Sequence, residues 1–135
     1  MKFSEEHDGN INDSILEIKA PKRTYLLFIN PVSGPGKAME IFDQKVSRLF
    51  YECDIDYHLE ITDQANSARS FIEKTADLVS KFDGIVVISG DGLLFEIING
   101  IMKRNDWQSL IKIPIGIIPG GSGNGLAHSI NYFIT

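Results

Sequence analysis

The stretch Ile85-Val86-Val87-Ile88-Ser89-Gly90-Asp91-Gly92 decides the fold that the sequence predicts. Its short run of apolar, mostly β-branched residues is typical of a buried strand, and the glycines on both sides of Asp91 predict a tight turn into a helix. Asp91 therefore lies at the tip of a strand, where α/β sheets bind their ligands. Either Asp91 caps the helix that follows, since aspartate is a favoured N-cap residue, or it takes part in chemistry. The stretch alone leaves both interpretations open.

The same order of strand, loop and helix recurs on both sides of this stretch. The predicted strands are Tyr25–Ile29, Ile55–Ile61, Ile85–Ser89 and Ile113–Ile118, and the predicted helices cover residues 37–51, 66–81 and 93–104, with a fourth starting at residue 126. Parallel strands need crossover connections, so this alternation implies a parallel sheet with helices on both faces. The predicted fold class is α/β, a three-layer αβα arrangement with a Rossmann-like parallel sheet.

Three glycine-bearing loops follow predicted strands, after Asn30, after Ser89 and after Pro119. Because the carboxyl ends of parallel strands meet at one edge of the sheet, we expect these loops to converge there. Backbone N–H groups at such loops suit oxyanions, which favours a ligand that carries phosphate. The first loop completes neither known phosphate motif. Met39 replaces the third glycine of the dinucleotide fingerprint, and Ala38 follows Lys37 where a Walker A loop has Ser or Thr.

Composition limits the classes of function that remain. The 135 residues fit one domain, and the net charge of −5 argues against a surface that binds nucleic acid. A single cysteine, Cys53, excludes an intramolecular disulfide, and no apolar run reaches the roughly 18 residues of a membrane span. Residues 1–20 are acidic and polar, which predicts a flexible leader. We expect a cytoplasmic protein.

Three motifs resemble a known family. They are Phe28–Ala38, Ser89–Gly92 followed by Glu96 and Asn99-Gly100, and Pro119–Asn124, and together they resemble the lipid kinase catalytic domain shared by diacylglycerol, ceramide and sphingosine kinases. Ser89 and the segment Asn99–Trp107 are most similar to sphingosine kinases. The resemblance implies that residues 21–135 form the nucleotide-binding N-terminal lobe of such a domain, similar in fold to that of lipid kinases and NAD kinases. A second, mostly β domain would carry much of the lipid pocket.

The resemblance also implies a reaction. The family transfers phosphate from ATP to a lipid, here the primary hydroxyl of a sphingoid base such as sphingosine, which yields sphingosine 1-phosphate. Asp91 corresponds to the general base. Diacylglycerol or ceramide as the lipid, or a non-catalytic nucleotide-binding fragment, are the alternatives. Magnesium is expected as the partner of ATP rather than as an ion caged by protein. The expected partners are the lipid, a membrane surface contacted transiently, and the second domain or a full-length kinase.

The resemblance assigns residues to two sites. The lipid head-group site would be shaped by Ser89, Gly90, Asp91 and Gly92. The nucleotide site would be formed by Asn30, Pro31, Val32, Thr62, Asp63, Asn66, Glu96, Gly121, Ser122 and Gly123. Structural alternatives remain, because Asn30 and Thr62 are also ordinary turn or cap residues and Glu96 fits an exposed helix position. No histidine has a spacing that suggests a metal ligand.

Overall fold

The computed structural model describes residues 20–134, so the predicted leader lies outside the described residues apart from residue 20. The strands are β1 (Thr24–Ile29), β2 (Asp56–Ile61), β3 (Gly84–Ser89) and β4 (Ile115–Pro119). The helices are α1 (Ala38–Ile41), α2 (Ser47–Glu52), α3 (Ser67–Lys74), α4 (Leu78–Lys81), α5 (Asp91–Met102), α6 (Trp107–Leu110) and α7 (Gly125–Ile134). All four predicted strands are present, with ends displaced by up to two residues.

The four strands form one parallel sheet in the order β2-β1-β3-β4. Helices cover both faces, so the predicted α/β class is confirmed. β2 lies at one edge, as its alternation of apolar and polar residues predicted. β1 and β3 lie in the centre, which explains why their residues are apolar almost without interruption.

Two hydrophobic cores flank the sheet, and alternate residues of β1 point into each. Leu26 and Phe28 pack with α3 and α5, whereas Leu27 and Ile29 pack with the helical segment that follows β1. All four side chains are 0% exposed. Burial of a large apolar side chain contributes about 1.5–3 kcal/mol, so β1 is held firmly from both sides. This rigid central strand positions the loop that begins at Asn30.

The first predicted helix forms, but its middle is wider than an α-helix. A π-helical segment, Phe42–Val46, joins α1 to α2 without a break. The buried residues Phe42, Val46 and Phe50 recur every four positions, which exceeds the about 3.6 residues of an α-helical turn. The wider segment keeps these three side chains on the sheet. Leu49, which the periodicity placed on the same face, is 55% exposed.

The single helix predicted over residues 66–81 is wrong, because the chain forms α3 and α4 with a break between them. Thr75 is extended, and Asp77 adopts a left-handed backbone conformation with φ of 59°. The guanidinium of Arg104 donates to the backbone carbonyls of Ile72 and Thr75, at 2.6 Å each. It also forms a two-pronged ion pair with Asp106, whose carboxyl pKa the Arg104 hydrogen bonds hold below its usual range. Arg104 thus satisfies the carbonyls where α3 ends.

Candidate active site

The candidate site lies where the strand order reverses. The chain passes from β1 outward to β2 and then returns to the opposite side of β1 as β3. In open α/β sheets, ligands bind at the carboxyl ends of the strands at such a reversal. Asn30 follows β1 here, and Gly90 follows β3.

The three glycine loops meet at this edge in direct backbone contact. A Cβ atom added to Gly34 would lie 2.6 Å from the backbone nitrogen of Ser122, and one added to Gly121 would lie 2.6 Å from Cα of Gly90. A Cβ atom on Gly90 would overlap the carbonyl oxygen of Gly123. Side chains at these positions would push the loops apart, so the glycines allow the convergence that the topology predicted.

Asp91 does not cap its own helix, so that interpretation is wrong. Asp91 is the first residue of α5, and the N-cap position, Gly90, has no side chain with which to cap. The Asp91 carboxylate instead accepts hydrogen bonds from the backbone N–H groups of Gly125, at 2.9 Å, and Leu126, at 3.3 Å. It therefore caps α7, and it stands at the N-termini of two helices, whose dipoles both favour a negative charge. The carboxylate is exposed and oriented by hydrogen bonds on one side.

A cleft of about 310 Å³ opens beside these loops. Its lining includes seven of the residues proposed for the nucleotide and lipid sites, namely Asn30, Val32, Thr62, Asp63, Ser89, Gly92 and Glu96. The structure adds four lining residues that the sequence analysis missed: Ser33, Gln64, Ala65 and Leu93. Each of the four is next to a predicted residue in the sequence, and this was the one feature of the sequence that could have identified them.

The remaining predicted residues lie around the cleft rather than in its lining. Gly90, Asp91 and Gly121–Gly123 form the junction of loops at the sheet edge. Asn66 precedes α3 with φ of 64° and lines a neighbouring depression of about 500 Å³, which shares Gln64 and Ala65 with the cleft. Pro31 follows Asn30 and is half-buried.

Two residues of the cleft have structural roles that the local geometry explains. The side-chain oxygen of Asn30 accepts the backbone N–H of Val32, at 3.1 Å, which forms a turn at the end of β1. Thr62 is 4% exposed, and both its backbone N–H and its hydroxyl donate to the carbonyl of Ile29, at 2.8 and 3.1 Å. Thr62 thus ties the end of β2 to the end of β1. These contacts hold the cleft walls in place.

Glu96 differs from the other cleft residues because part of its carboxylate is buried and unpaired. Its side chain projects from α5 into the cleft lining and is half-buried, so the alternative of an exposed helix residue is wrong. Within residues 20–134, its Oε2 atom has no hydrogen-bond partner. An unpaired buried carboxylate oxygen is costly, and a ligand with a hydrogen-bond donor would remove that cost.

The profile of the diacylglycerol kinase catalytic domain matches residues 24–133, from the start of β1 into the last turn of α7. The chain belongs to the diacylglycerol kinase catalytic domain family. Two relatives are sphingosine kinases. Sphingosine kinase 2 of Arabidopsis thaliana is 44% identical over 110 residues, covering 82% of this chain and 22% of the relative. Sphingosine kinase 1 of Rattus norvegicus is 42% identical over 108 residues, covering 80% and 28%. The chain thus spans about a quarter of the length of these relatives.

A solved member of the family has the same fold. The crystal structure of a diacylglycerol kinase from Bacillus anthracis superposes with a TM-score of 0.61 at 28% sequence identity. The superposition covers 84% of this chain and 36% of that one. The resemblance to lipid kinases is confirmed by both sequence and fold. Across residues 20–134, none of the helices combines the length and apolar character that a bilayer-spanning segment needs.

Kinases of this family use ATP, and magnesium accompanies ATP in phosphoryl transfer. Within residues 20–134, no three or more His, Cys, Asp or Glu side chains gather where they could hold a metal ion. Magnesium bound to a nucleotide takes only one or two protein carboxylates besides the phosphates and water. Asp63 supplies a carboxylate in the cleft, which fits an ion that arrives with the nucleotide and needs few protein ligands.

Proposed function

We propose that this domain binds ATP in the cleft beside Glu96 and uses Asp91 as the general base that activates the primary hydroxyl of a sphingoid base. The observation that carries the proposal is the Asp91 carboxylate, exposed at the junction of the three glycine loops and oriented by two N–H groups of α7. The similarity to sphingosine kinases of a plant and a mammal favours a sphingoid base over diacylglycerol or ceramide.

The proposed reaction needs positioning and charge stabilisation more than covalent chemistry by the protein. Asp91 takes the proton of the lipid hydroxyl as that oxygen forms a bond to the γ-phosphorus of ATP. The bond between the γ-phosphorus and the bridging oxygen breaks, and ADP leaves with the electron pair. The products are a phosphomonoester of the lipid, such as sphingosine 1-phosphate, and ADP. Each oxygen of Asp91 keeps a free lone pair after it accepts one N–H, so both can still receive a hydroxyl proton.

The proposed nucleotide contacts follow the cleft. They comprise Asn30, Pro31, Val32, Thr62, Asp63, Asn66, Glu96, Gly121, Ser122 and Gly123. Oε2 of Glu96 would accept a hydrogen bond from the sugar or base of the nucleotide, which explains why it has no partner among the described residues. The backbone of Gly121–Gly123 would approach the phosphates. Ser89, Gly90 and Gly92 would shape the lipid head-group site beside Asp91.

The test is the substitution Asp91→Asn, assayed with ATP and sphingosine on the complete gene product. Loss of a general base lowers kcat by about 10²–10⁴. Asparagine is chosen because its side-chain oxygen can still accept one of the two N–H groups of α7, so the variant should stay folded, which the thermal unfolding midpoint checks. Asp43→Asn removes an exposed carboxylate on the π-helical segment and should leave kcat unchanged. An unaltered kcat in folded Asp91→Asn would remove Asp91 from the mechanism.

The substrate assignment is tested separately with a panel of sphingosine, diacylglycerol and ceramide. We expect the highest kcat/KM with sphingosine, and a higher value with either other lipid would overturn that choice. The second candidate is a nucleotide-binding unit without turnover, for which the cleft and the unpaired oxygen of Glu96 would suffice. Calorimetric titration that detects ATP binding, combined with no turnover of any lipid, would favour it. A lipid substrate also implies transient contact with a membrane surface, and the single cysteine agrees with a cytoplasmic site of action.

A further inference from the structure

Asn124 occupies the N-cap position of α7 but does not cap it. Its carbonyl accepts the N–H of His128, at 3.0 Å, which is the first hydrogen bond of the helix. An asparagine in this position usually turns its side chain toward the N–H groups of the first turn. The Asn124 side chain instead turns back to Gly121. It donates to the Gly121 carbonyl at 2.6 Å and accepts the Gly121 N–H at 3.2 Å.

This pair of hydrogen bonds closes the loop Gly121–Asn124 into a compact turn. The closed loop then meets Asp91 from two directions. The backbone N–H of Asp91 donates to the carbonyl of Gly123, at 2.8 Å, while the Asp91 carboxylate accepts the N–H groups of Gly125 and Leu126. Main chain and side chain of Asp91 are therefore both held by the segment that Asn124 shapes.

We infer that Asn124 is a positioning residue for the proposed reaction: by closing the glycine loop it aims the first two N–H groups of α7 at the Asp91 carboxylate. The inference rests on the proposed function of Asp91. Because the Asn124 side chain bonds to Gly121, the first N–H groups of α7 bond to Asp91 instead. These hydrogen bonds fix the direction of the Asp91 carboxylate. Without the Asn124 side chain, the loop loses the two hydrogen bonds that close it, and the Gly123 carbonyl and the α7 N–H groups that contact Asp91 can move.

The effect on rate follows from geometry. A misplacement of a reacting group by about 1 Å can lower a rate by about 10²-fold. We expect Asn124→Ala to lower kcat by about 10- to 100-fold. It should also raise KM for ATP, because the Gly121–Gly123 backbone belongs to the proposed phosphate site. Asn105→Ala removes an exposed asparagine in the connection between α5 and α6 and serves as the matched control, with kcat and KM unchanged.

Substitutions at Gly125 distinguish two effects on kcat: loss of the hydrogen bond to the Asp91 carboxylate, and a change in the shape of the loop Gly121–Asn124. Gly125 is the first residue of α7, a position that tolerates proline, and proline there removes the N–H that Asp91 accepts. An added Cβ atom would meet only Oδ2 of Asp91, at 3.3 Å. Gly125→Pro should lower kcat by about tenfold more than Gly125→Ala, which keeps the N–H, and neither should raise KM for ATP as much as Asn124→Ala.

Amide hydrogen exchange on the 135-residue chain tests the contact without turnover. In Asn124→Ala, the N–H groups of Gly125 and Leu126 should exchange at least about tenfold faster, since local opening exposes them, while strand β1 keeps its protection. Unchanged exchange at both amides would overturn the inference. A normal kcat in Asn124→Ala, when Asp91→Asn is inactive, would also overturn it. The same holds if Asn124→Ala raises KM for ATP but leaves kcat unchanged. Absence of turnover in the wild type would instead overturn the proposed function, and the exchange of the two amides would still decide whether Asn124 holds Asp91.

Discussion

At the scale of single residues, the two glycines beside Asp91 have different reasons to be glycine. Gly90 has φ of −94° and ψ of −173°, which is an extended conformation open to any residue. Its constraint is close approach, because a Cβ atom there would overlap the carbonyl oxygen of Gly123. A Cβ atom on Gly92 would meet nothing within 4 Å. Of these two glycines, Gly90 alone is required for the packing of the loops.

This difference predicts opposite effects on stability. Gly90→Ala should lower the free energy of unfolding by about 1–3 kcal/mol, the usual cost of overpacking. Gly92→Ala lies within α5 and should be neutral or stabilising by up to about 1 kcal/mol, because alanine favours helix more than glycine does. Urea denaturation of the two variants measures both values. Equal effects of the two substitutions would show that the contact between Gly90 and Gly123 is not tight.

The capping role of Asp91 shows what sequence reasoning misses at this scale. Aspartate after a glycine and before an apolar helix predicts a cap for that helix, since capping rules are local. The helix that Asp91 does cap begins 34 residues later in the chain, at Gly125. No local pattern encodes such a contact. The unpaired Oε2 of Glu96 was likewise hidden, because helical periodicity alone does not show where a cleft opens.

At the scale of elements, Arg104 joins α3 to the connection between α5 and α6. Its side chain is only 10% exposed, and it bonds to two carbonyls near the end of α3 and to both oxygens of Asp106. This contact explains why the periodicity over residues 66–81 misled the prediction. The apolar residues do repeat at helical spacing, but the chain breaks at Thr75–Asp77, where an arginine distant in sequence supplies the donors that a continuing helix would have supplied.

The contact predicts a large effect for one basic residue and a small one for its neighbour. Arg104→Ala should lower the free energy of unfolding by about 2–4 kcal/mol, because two partly buried carbonyls lose a charged donor. Lys103→Ala, which removes an exposed side chain, should change it by less than about 0.5 kcal/mol. Thermal or urea denaturation tests the pair. Similar values for the two would mean that water replaces Arg104 at little cost.

At the scale of the whole molecule, the fold was predictable because short apolar strands alternate along the sequence with segments of helical periodicity. Crossover rules then require a parallel sheet, and the loops after its strands must meet at one edge. The strand order β2-β1-β3-β4 brings the loops after Asn30 and Gly90 side by side at the reversal. The cleft depends on that order, and its fine lining depends on side-chain packing that the sequence pattern does not specify.

If the cleft is a nucleotide site, nucleotide should stabilise the folded chain. Binding to the folded state alone adds about 2.7 kcal/mol when the free ligand is at 100 times its Kd. We expect the thermal unfolding midpoint of the 135-residue chain to rise by several degrees with magnesium-ATP. Glu96→Gln should weaken this rise, since the unpaired oxygen is replaced or reoriented. If the unfolding midpoint does not rise at millimolar magnesium-ATP, residues 20–134 do not form the nucleotide site on their own.

The hydrogen bonds from α7 to Asp91 also bear on how sequences of this family are interpreted. Capping gives the position a structural value of about 0.5–2 kcal/mol, independent of any reaction. A member that has lost its activity would still be selected to keep an aspartate or asparagine there, because a hydrophobic residue would leave the start of α7 unsatisfied. A relative with asparagine at this position would keep an acceptor for the start of α7 but lose the proposed base, so it should still bind nucleotide in its cleft without turning over lipid.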